Sequence, residues 1–245
     1  MAYDELKKIL DGSDNIVFLG GAGVSTESGI PDFRSESGLY SAKKKYGYSP
    51  ETLLSHSLFM RKPELFYKYY KENLICPEAK PNNAHKALAK LEQMGKLKAI
   101  ATQNIDNLHQ MAGSKNVYEL HGSVYRNNCM KCGKYYSLED MMKLPGDVPR
   151  CENCGGIIKP DVVLYEEGLN EYVWSSAIKY ISRADVLIVG GTSLVVYPAA
   201  SLVNYYRGSK LVLINKSTTS YDRNADLVIH DAIGEVLKEA VLDRY

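Results

Sequence analysis

The sequence predicts an α/β fold: a doubly wound, parallel (Rossmann-like) sheet with a smaller inserted zinc-binding and helical domain. Short apolar runs without polar alternation recur along the chain, which is typical of strands buried on both faces of a parallel sheet. Segments with helical periodicity separate these runs, as in βαβ units. Two stretches break the alternation, one rich in tyrosine and lysine and the other rich in cysteine, and they predict the inserted parts.

These breaks divide an expected single core, residues 1–245. The Rossmann-like part is expected at about 1–34, 82–124 and 161–245, the helical insert at about 35–81 and the zinc module at about 125–160. Apolar residues at helical spacing predict a first helix at 2–10, and an apolar run predicts the first strand at 15–19. The clearest helix of the insert follows Pro63, and Asn82 or Asn83 is suited to cap the next helix. Further strands are expected at 99–102, 117–120, 184–189, 210–215 and 227–230, and further helices after the second strand, at 198–206 and at 233–242.

The composition is that of an ordinary globular enzyme. Of 245 residues, 45% are hydrophobic and 24% are charged, with 30 Lys and Arg against 29 Asp and Glu. These values exclude disordered, collagen-like and coiled-coil chains, and a net charge of +1 gives no reason to expect a membrane or nucleic-acid partner. No apolar run approaches the roughly 18 residues that span a bilayer, and the N-terminus lacks a signal-peptide core. We therefore expect a cytoplasmic protein.

Four of the five cysteines have the spacing of a zinc site. Cys129 and Cys132 are followed, after 18 residues, by Cys151 and Cys154. Two such pairs supply four thiolates to a tetrahedral Zn²⁺ and leave no open position for a substrate, so one structural metal per chain is expected. Cys76 is expected to be an ordinary thiol. A zinc ribbon would also suit a nucleic-acid binder, although acidic residues offset the basic ones of this stretch.

A glycine-rich turn, Gly21-Ala22-Gly23, follows the first strand. Such a turn lets backbone N–H groups approach a phosphate. The dinucleotide-binding fingerprint would have a third glycine where Thr26 stands, and the polar loop that follows is unlike the regular helix of a dehydrogenase. This loop is expected to close over a bound ligand and to carry Phe33 and Arg34 with it.

Polar residues also follow the ends of four further expected strands. They are Gln103, Asn104 and Asp106 after the second strand, His121 after the third, Thr192 and Ser193 after the fourth, and Asn215 after the fifth. In open α/β sheets, ligands bind in the crevice at the carboxyl ends of the strands. The sequence therefore predicts one ligand site at this edge of the sheet.

Five motifs together resemble the sirtuin family of NAD-dependent protein lysine deacylases. They are GAGVSTESGIPDFR at 21–34, TQNIDNLH at 102–109, ELHG at 119–122, the four cysteines, and GTSLVVYPAA at 191–200. The match follows the family's order from about Gly20 to the last helix, and it implies one bacterial-type catalytic core. It also implies that NAD⁺ is a consumed substrate. Nicotinamide leaves, the carbonyl oxygen of acetyl-lysine attacks C1′ of the ribose, and the acetyl group ends on ADP-ribose.

The resemblance assigns roles to residues by motif. The expected NAD contacts are Ala22, Thr26 and Arg34 on the diphosphate side, Phe33 over the ribose and nicotinamide, Gln103 and Asn104 at the ribose, Ile105 and Asp106 at the nicotinamide, and Thr192, Ser193, Asn215 and Ile233 at the adenosine half. Asn104 and His121 are the expected catalytic residues. His121 would be the general base, because a neutral imidazole, with an ordinary pKa of about 6.5, can take a proton from a ribose hydroxyl. The other four histidines are expected to be structural.

The second substrate implied by the resemblance is the acetylated lysine side chain of a protein, and nicotinamide is the implied product and inhibitor. The peptide is expected to add as a strand against Val163 and Tyr165 on one side and Val196 on the other. Glu166 stands where the family has a glycine, so its side chain is expected to disturb the close approach of the peptide backbone.

The helical insert bears on the choice of acyl group. Sirtuins that prefer succinyl- or malonyl-lysine carry a Tyr-x-x-Arg pair there, and Tyr67 and Tyr70 occupy the corresponding positions of this chain. Without the arginine, a carboxylate tail would lack its guanidinium partner. Neutral acyl groups, with acetyl first, are therefore expected.

Three other functions compete with this interpretation. A protein mono-ADP-ribosyltransferase shares the NAD site and the first bond cleavage, and the sequence separates it poorly from a deacetylase. A hydride-transferring dehydrogenase would have an acidic ribose ligand about 20 residues after the glycine loop, where the helical insert stands. A zinc-ribbon nucleic-acid binder leaves the motifs at 21–34 and 102–109 unexplained.

Overall fold

The structure is a computed structural model that describes residues 2–32 and 36–244. Within these ranges, a larger sheet contains six parallel strands, and a smaller sheet contains three antiparallel ones. The larger sheet consists of β1 (Ile16–Gly20), β2 (Leu97–Thr102), β3 (Val117–Glu119), β7 (Val186–Gly190), β8 (Lys210–Ile214) and β9 (Leu227–Ile229). The smaller sheet consists of β4 (Gly122–Cys129), β5 (Tyr135–Ser137) and β6 (Ile158–Val162).

Helices surround both sheets. The α-helices are α1 (Ala2–Asp11), α2 (Glu36–Tyr46), α3 (Pro50–Leu53), α4 (His56–Arg61), α5 (Pro63–Asn73), α6 (Asn83–Gln93), α7 (Leu108–Met111), α8 (Leu138–Lys143), α9 (Glu171–Arg183) and α10 (Ile233–Leu237). Short 3₁₀ segments are Ala22–Val24, Thr26–Ser28, Ala199–Tyr205 and Asp222–Asn224, and Lys238–Leu242 is π-helical. None of the described helices combines the length and apolar character needed to cross a membrane.

The predicted doubly wound parallel sheet is confirmed. Its strand order is β3-β2-β1-β7-β8-β9, so the direction of winding reverses between β1 and β7. Every residue of these two strands is buried, which explains their continuous apolar sequence. The register places the carboxyl ends of β1, β2, β7 and β8 at one edge. The reversal opens a crevice at that edge, where ligands bind in sheets of this kind.

Three apolar clusters hold the elements together. One cluster packs α1, α6 and α10 on the face of the larger sheet that carries Phe18. A second packs α9 and the 3₁₀ segment Ala199–Tyr205 on the face that carries Leu19. The third joins α2 to α5 with the smaller sheet around Phe66. The helical insert and the cysteine-containing part therefore share one core, apart from the core of the larger sheet.

Several elements differ from the sequence prediction. The insert contains four helices instead of one clear helix, because serines cap the short helices α3 and α4. The pattern did not predict α9, the segment Ala199–Tyr205 is 3₁₀ rather than α-helical, and β5 and α8 lie in a stretch expected to be loop. Of the two candidate caps, Asn82 caps α6, in a reciprocal arrangement with His85.

Candidate active site

Two adjoining cavities, each of about 260 Å³, lie at the carboxyl edge of the larger sheet. The first cavity lies between this edge, the helical insert and the segment that follows β6. The second cavity lies over the ends of β7 and β8. Ala22, Gln103 and Val196 line both, so the two cavities share a wall.

The glycine turn after β1 is fixed against the end of β7. The turn and the residues after it form two successive 3₁₀ segments, which agrees with the expectation of a loop rather than a regular helix. The Gly23 N–H donates to the Gly191 carbonyl at 2.8 Å, and a Cβ on Gly23 would lie 2.7 Å from the Gly191 Cα. Thr26, at the third position of the fingerprint, donates through Oγ1 to the Gly23 carbonyl at 3.0 Å. Only glycine permits this crossing of two backbones.

Ser25 connects Asn104 and Asp106 in the first cavity. Its Oγ donates to Asp106 Oδ2 at 2.6 Å and accepts from Asn104 Nδ2 at 2.9 Å. The Leu108 N–H donates to Asp106 Oδ1 at 2.9 Å. Burial raises the pKa of Asp106 above its ordinary value, and these hydrogen bonds act against that rise. The sequence analysis did not assign a role to Ser25, because a serine in a polar loop gives no sign of what it will contact.

His121 lines the first cavity at the turn from β3 into β4. Its Nδ1 lies 3.0 Å from the Gln103 carbonyl oxygen. A carbonyl oxygen only accepts, so Nδ1 carries the proton and Nε2 carries the lone pair. Gly122 makes the turn with φ +74°, and a Cβ there would lie 1.8 Å from the Asp161 carbonyl oxygen. The passage from the larger to the smaller sheet therefore requires glycine directly after the imidazole.

The residues expected at the adenosine half line the second cavity. They are Thr192, Ser193, Asn215 and Ile233, and Ala22 and Thr26, which are expected on the diphosphate side, line it as well. Asn215 Oδ1 accepts from the Thr192 N–H at 2.8 Å, and Thr192 Oγ1 accepts from Gln103 Nε2 at 3.1 Å. Asn215 Nδ2 is buried and has no hydrogen-bond partner among the described residues. Because buried donors are normally satisfied, this amide fits a ligand that brings an acceptor, such as a nucleotide.

The segment after β6 forms one wall of the first cavity and carries Val163 and Tyr165, two of the residues expected to contact a peptide. Val196, the third, follows β7 and lies where the two cavities adjoin. The Val163 N–H donates to the His121 carbonyl at 3.0 Å, which ties the segment after β6 to the histidine. The backbone of Tyr165 pairs with the helical insert on both sides, at 3.0 Å in each case. This wall is therefore held by the larger sheet and by the insert together.

Glu166 adopts the left-handed backbone conformation, with φ +77°. That region favours glycine, which is the residue that the resemblance led us to expect here. The carboxylate accepts from the Ser57 N–H at 2.9 Å and from Ser57 Oγ at 2.6 Å, at the start of α4. These hydrogen bonds lower the pKa of the Glu166 carboxyl. The side chain is thus turned towards the helical insert.

Tyr67 and Tyr70 do not line either cavity, which corrects the expectation that they face the acyl group. Both are fully buried, and their rings pack with Phe59 and Phe66. The Tyr67 hydroxyl donates to the Ile158 carbonyl. Residues that the sequence analysis did not single out, Leu54 and Leu74 among them, form the insert side of the first cavity instead. Phe33 and Arg34 lie outside the described residues.

The four paired cysteines converge as predicted. Their sulfur atoms all lie within 4.8 Å of one another, with 3.4 Å between Cys129 and Cys154 and 3.6 Å between Cys132 and Cys151. Zn–S bonds of about 2.3 Å in a tetrahedron give sulfur separations close to these values. Four thiolates form a complete tetrahedral ligand set that suits one structural Zn²⁺.

Two further histidines form a buried pair behind the site. The rings of His85 and His109 lie 4.8 Å apart, and both side chains are almost completely buried. Burial lowers the pKa of His85 to about 4 and holds that of His109 well below its ordinary range. His85 forms part of the cap of α6, in agreement with a structural role.

A family model and two similar bacterial proteins indicate the family of this chain. The model of the Sir2 family matches residues 21–198. A protein of Clostridium acetobutylicum named NAD-dependent protein deacetylase is 61% identical over 238 residues, which is 97% of each chain. One of Clostridium perfringens with the same name is 63% identical over 239 residues, covering 97% of this chain and 98% of its own.

Solved structures of Sir2 proteins resemble this chain in their three-dimensional fold. A Sir2 protein with a p53 peptide and NAD⁺ has a TM-score of 0.88 at 42% identity, over 99% of this chain and 98% of its own. A Sir2 protein bound to an acetylated peptide has a TM-score of 0.86 at 40% identity, with the same coverage.

Proposed function

The chain belongs to the Sir2 family, and from this premise we propose that it is an NAD-dependent protein lysine deacetylase whose general base is His121. It transfers acetyl from N6-acetyl-lysine of proteins to ADP-ribose and releases nicotinamide. Two relatives that are more than 60% identical are named NAD-dependent protein deacetylase, and a similar solved structure contains a peptide with NAD⁺. The observation that carries the mechanism is the bond from His121 Nδ1 to the Gln103 carbonyl, because it leaves Nε2 as the basic nitrogen.

The first step depends on positioning. NAD⁺, when bound, supplies the ribose carbon that accepts the acetyl oxygen and the nicotinamide that leaves. In our proposal Asp106 accepts from the carboxamide N–H₂ beside Ile105, and Asn104 and Gln103 hold the ribose. Ser25 supports this task because it bonds both Asn104 and Asp106. Holding reactants in one geometry lowers the entropic part of the barrier.

His121 acts after this step. Its Nε2 would accept the proton of a ribose hydroxyl, and the imidazole then carries a positive charge. The Gln103 carbonyl oxygen stabilises that charge, because it already accepts from Nδ1–H at 3.0 Å. The same bond fixes the ring orientation throughout the cycle.

The rest of NAD⁺ would extend into the second cavity. Thr192, Ser193, Asn215 and Ile233 are proposed to hold the adenosine half, and the buried Nδ2 of Asn215 supports this placement. Ala22 and Thr26 are proposed to contact the diphosphate with the backbone of the glycine turn. Phe33 is proposed to cover the ribose and nicotinamide, and Arg34 is proposed to contact the diphosphate, as the sequence predicts.

The acyl group would enter the first cavity along its apolar wall. Leu54, Leu74 and Ile105 line this wall, and no lysine or arginine lines the cavity within the described ranges. A neutral acetyl group suits such a wall, whereas a succinyl carboxylate would lose hydration without a cationic partner. The peptide is proposed to lie between Val163 and Tyr165 on one side and Val196 on the other.

Further assignments complete the proposal. Nicotinamide rebinding at Ile105 and Asp106 would make the product an inhibitor. Nucleic acid is not a proposed partner, since acidic residues balance the basic ones near the cysteines. Thiols arranged for a metal suit a reducing compartment such as the cytoplasm. The predicted division into Rossmann-like part, insert and zinc module is retained, and the shared core of the last two supports it.

Mass spectrometry of an acetyl-lysine peptide incubated with the protein and NAD⁺ tests the function. We expect loss of acetyl from the peptide together with O-acetyl-ADP-ribose and nicotinamide in equal amounts. A reaction without NAD⁺ is the control. Gain of an ADP-ribosyl mass on a protein, with the acetyl group retained, would instead establish the mono-ADP-ribosyltransferase.

A further inference from the structure

Arg126 joins the two sheets beside the proposed base. Its Nε donates to Asp161 Oδ2 at 2.7 Å, and its Nη1 donates to Glu119 Oε2 at 2.6 Å. Glu119 ends β3 of the larger sheet, and Asp161 lies in β6 of the smaller sheet. One planar guanidinium therefore bridges carboxylates from both sheets, with the short geometry of charge-assisted hydrogen bonds.

The Glu119 carboxylate depends on this partner. Its side chain is only 8% exposed, whereas those of Arg126 and Asp161 are 43% and 47% exposed. The second oxygen, Oε1, is buried and has no hydrogen-bond partner among the described residues. A buried carboxylate that loses its cation is left uncompensated. The bond to Glu119 is thus the more consequential of the two.

The backbone ladder is interrupted where Arg126 stands. Strand β4 pairs with β6 at Gly122 and Ser123, and the pairing resumes only at Asn127, opposite Pro160. Between these points the two strands separate in a bulge. The backbone of Asp161 pairs with Ser123 at the start of this bulge, and the side chain of Arg126 at its end adds a second connection to Asp161.

The two carboxylates flank the contact that orients the site. His121 lies two residues after Glu119, and Val163 lies two residues after Asp161. The Val163 N–H donates to the His121 carbonyl at 3.0 Å. Arg126 therefore holds both chain segments whose meeting point places the base and the peptide-facing wall.

We propose that Arg126 is a positioning residue for the second half of the reaction, which fixes His121 against the segment that receives the peptide. This inference rests on the proposed function. The network that positions NAD⁺ in our proposal, Ser25 with Asn104 and Asp106, does not involve the Arg126 side chain. Loss of the guanidinium should therefore affect deacetylation and leave the first bond cleavage largely in place.

The test compares Arg126→Met with Arg126→Lys and Arg183→Met. Arg183 is the control because it is an exposed arginine at the end of α9, and its backbone carbonyl accepts from Asn15. For each purified protein we would measure deacetylation of an acetyl-lysine peptide, peptide-dependent exchange of labelled nicotinamide into NAD⁺, the KM for NAD⁺, and thermal melting. Assays would run well below the lowest melting temperature.

For Arg126→Met we expect deacetylation to fall on the order of tenfold to a hundredfold, because small displacements of a catalytic group have effects of that size. Exchange, measured with saturating peptide, and the KM for NAD⁺ should stay within about threefold of wild type. Arg126→Lys should recover part of the activity, since an ammonium can serve one carboxylate but not both. Arg183→Met should match wild type.

Equal loss of exchange and deacetylation in Arg126→Met would overturn the proposal, and so would wild-type rates of both. If Arg126→Met does not fold, the same comparison is made with Arg126→Lys and Asp161→Asn. The first keeps a cation beside Glu119, and the second keeps the bond between Arg126 and Glu119. Absence of NAD-dependent deacetylation in the wild-type protein would refute the proposed function instead. The wild-type assay therefore separates this failure from a failure of the Arg126 proposal.

Discussion

The larger sheet and the cysteine-containing part reach order by different physical means. In the larger sheet, β1 and β7 are buried along their whole length, and apolar clusters cover both faces. The smaller sheet has only three strands, and the four cysteine sulfur atoms lie together at its end. Hydrophobic burial stabilises the first, whereas the loops that carry the four cysteines of the second are expected to depend on a bound metal. In our proposal the catalytic side chains come from the edge of the larger sheet, and the segment after β6 of the smaller sheet supplies a wall of the first cavity.

Removing the metal should produce the largest effect and should show this difference directly. Structural zinc contributes on the order of 10 kcal/mol in isolated fingers, and less is expected here because the cysteine-containing part shares a core with the insert. Cys129→Ser should lower zinc content below one per chain, lower the melting temperature and abolish activity through unfolding of this part. Cys76→Ser is the matched thiol control for zinc content and melting. A zinc-free preparation with unchanged melting and full activity would contradict the prediction.

His121→Ala tests whether the chemistry belongs to the edge of the larger sheet. General bases contribute about 10²- to 10⁴-fold, so deacetylation should fall by that amount while melting stays near wild type. Peptide-dependent nicotinamide exchange should persist, because the first step needs positioning rather than a base. The two assays would be run side by side. Deacetylation at the wild-type rate would show that His121 is not the base.

Asp106→Asn should weaken both reactions, by about tenfold to a hundredfold. The change replaces one oxygen acceptor by an NH₂ group, so the carboxamide loses its partner and Ser25 loses its present acceptor. Exchange and deacetylation are measured as for His121→Ala. A loss confined to deacetylation would be at odds with a role at the nicotinamide.

Mild acid should destabilise the larger-sheet region through its buried histidines. The pKa of His85 is lowered to about 4, so an unfolded chain, with an ordinary pKa of about 6.5, binds more protons between these values. The contribution of His85 to the free energy of unfolding should therefore be complete above about pH 6.5 and should decline as the pH falls towards 4. Denaturant melts of wild type and His85→Gln, with zinc content followed at each pH, measure this decline. The variant should show a shallower pH dependence, and identical slopes would argue against His85.

Glu166→Gly should have the smallest effect. The change relieves the left-handed backbone but removes two hydrogen bonds to Ser57, so these opposing effects should leave the melting temperature close to that of wild type. The KM for the peptide should fall by about two- to fivefold, since glycine permits close approach of backbone, and the KM for NAD⁺ should not change. Glu166→Gln, which keeps a side chain at this position, is the control. A lower peptide KM in both variants would attribute the effect to charge.

The strands of the larger sheet were predictable because burial on both faces imposes a local apolar pattern. The convergence of the four cysteines was predictable from their spacing. The position of the polar residues at the sheet edge was predictable because they directly follow the strands. Ser25 and Arg126 were not, because their roles depend on partners about 80 and 35 positions away in the sequence. Tyr67 and Tyr70 show the converse error: the motif suggested a place at the acyl group, but both side chains are fully buried and line neither cavity.

The crossing of Gly23 and Gly191 has a consequence for anyone who wishes to change the substrate range by mutagenesis. The two backbones touch so closely that neither position tolerates a side chain, and both line the second cavity, where we propose that the adenosine half of NAD⁺ binds. The acyl side, in contrast, is lined by ordinary leucines of the helical insert, such as Leu54 and Leu74, which have many neutral replacements. A combinatorial library for new acyl groups should therefore randomise the insert and hold the crossing constant. Its members would then differ in what they remove from lysine while sharing one co-substrate.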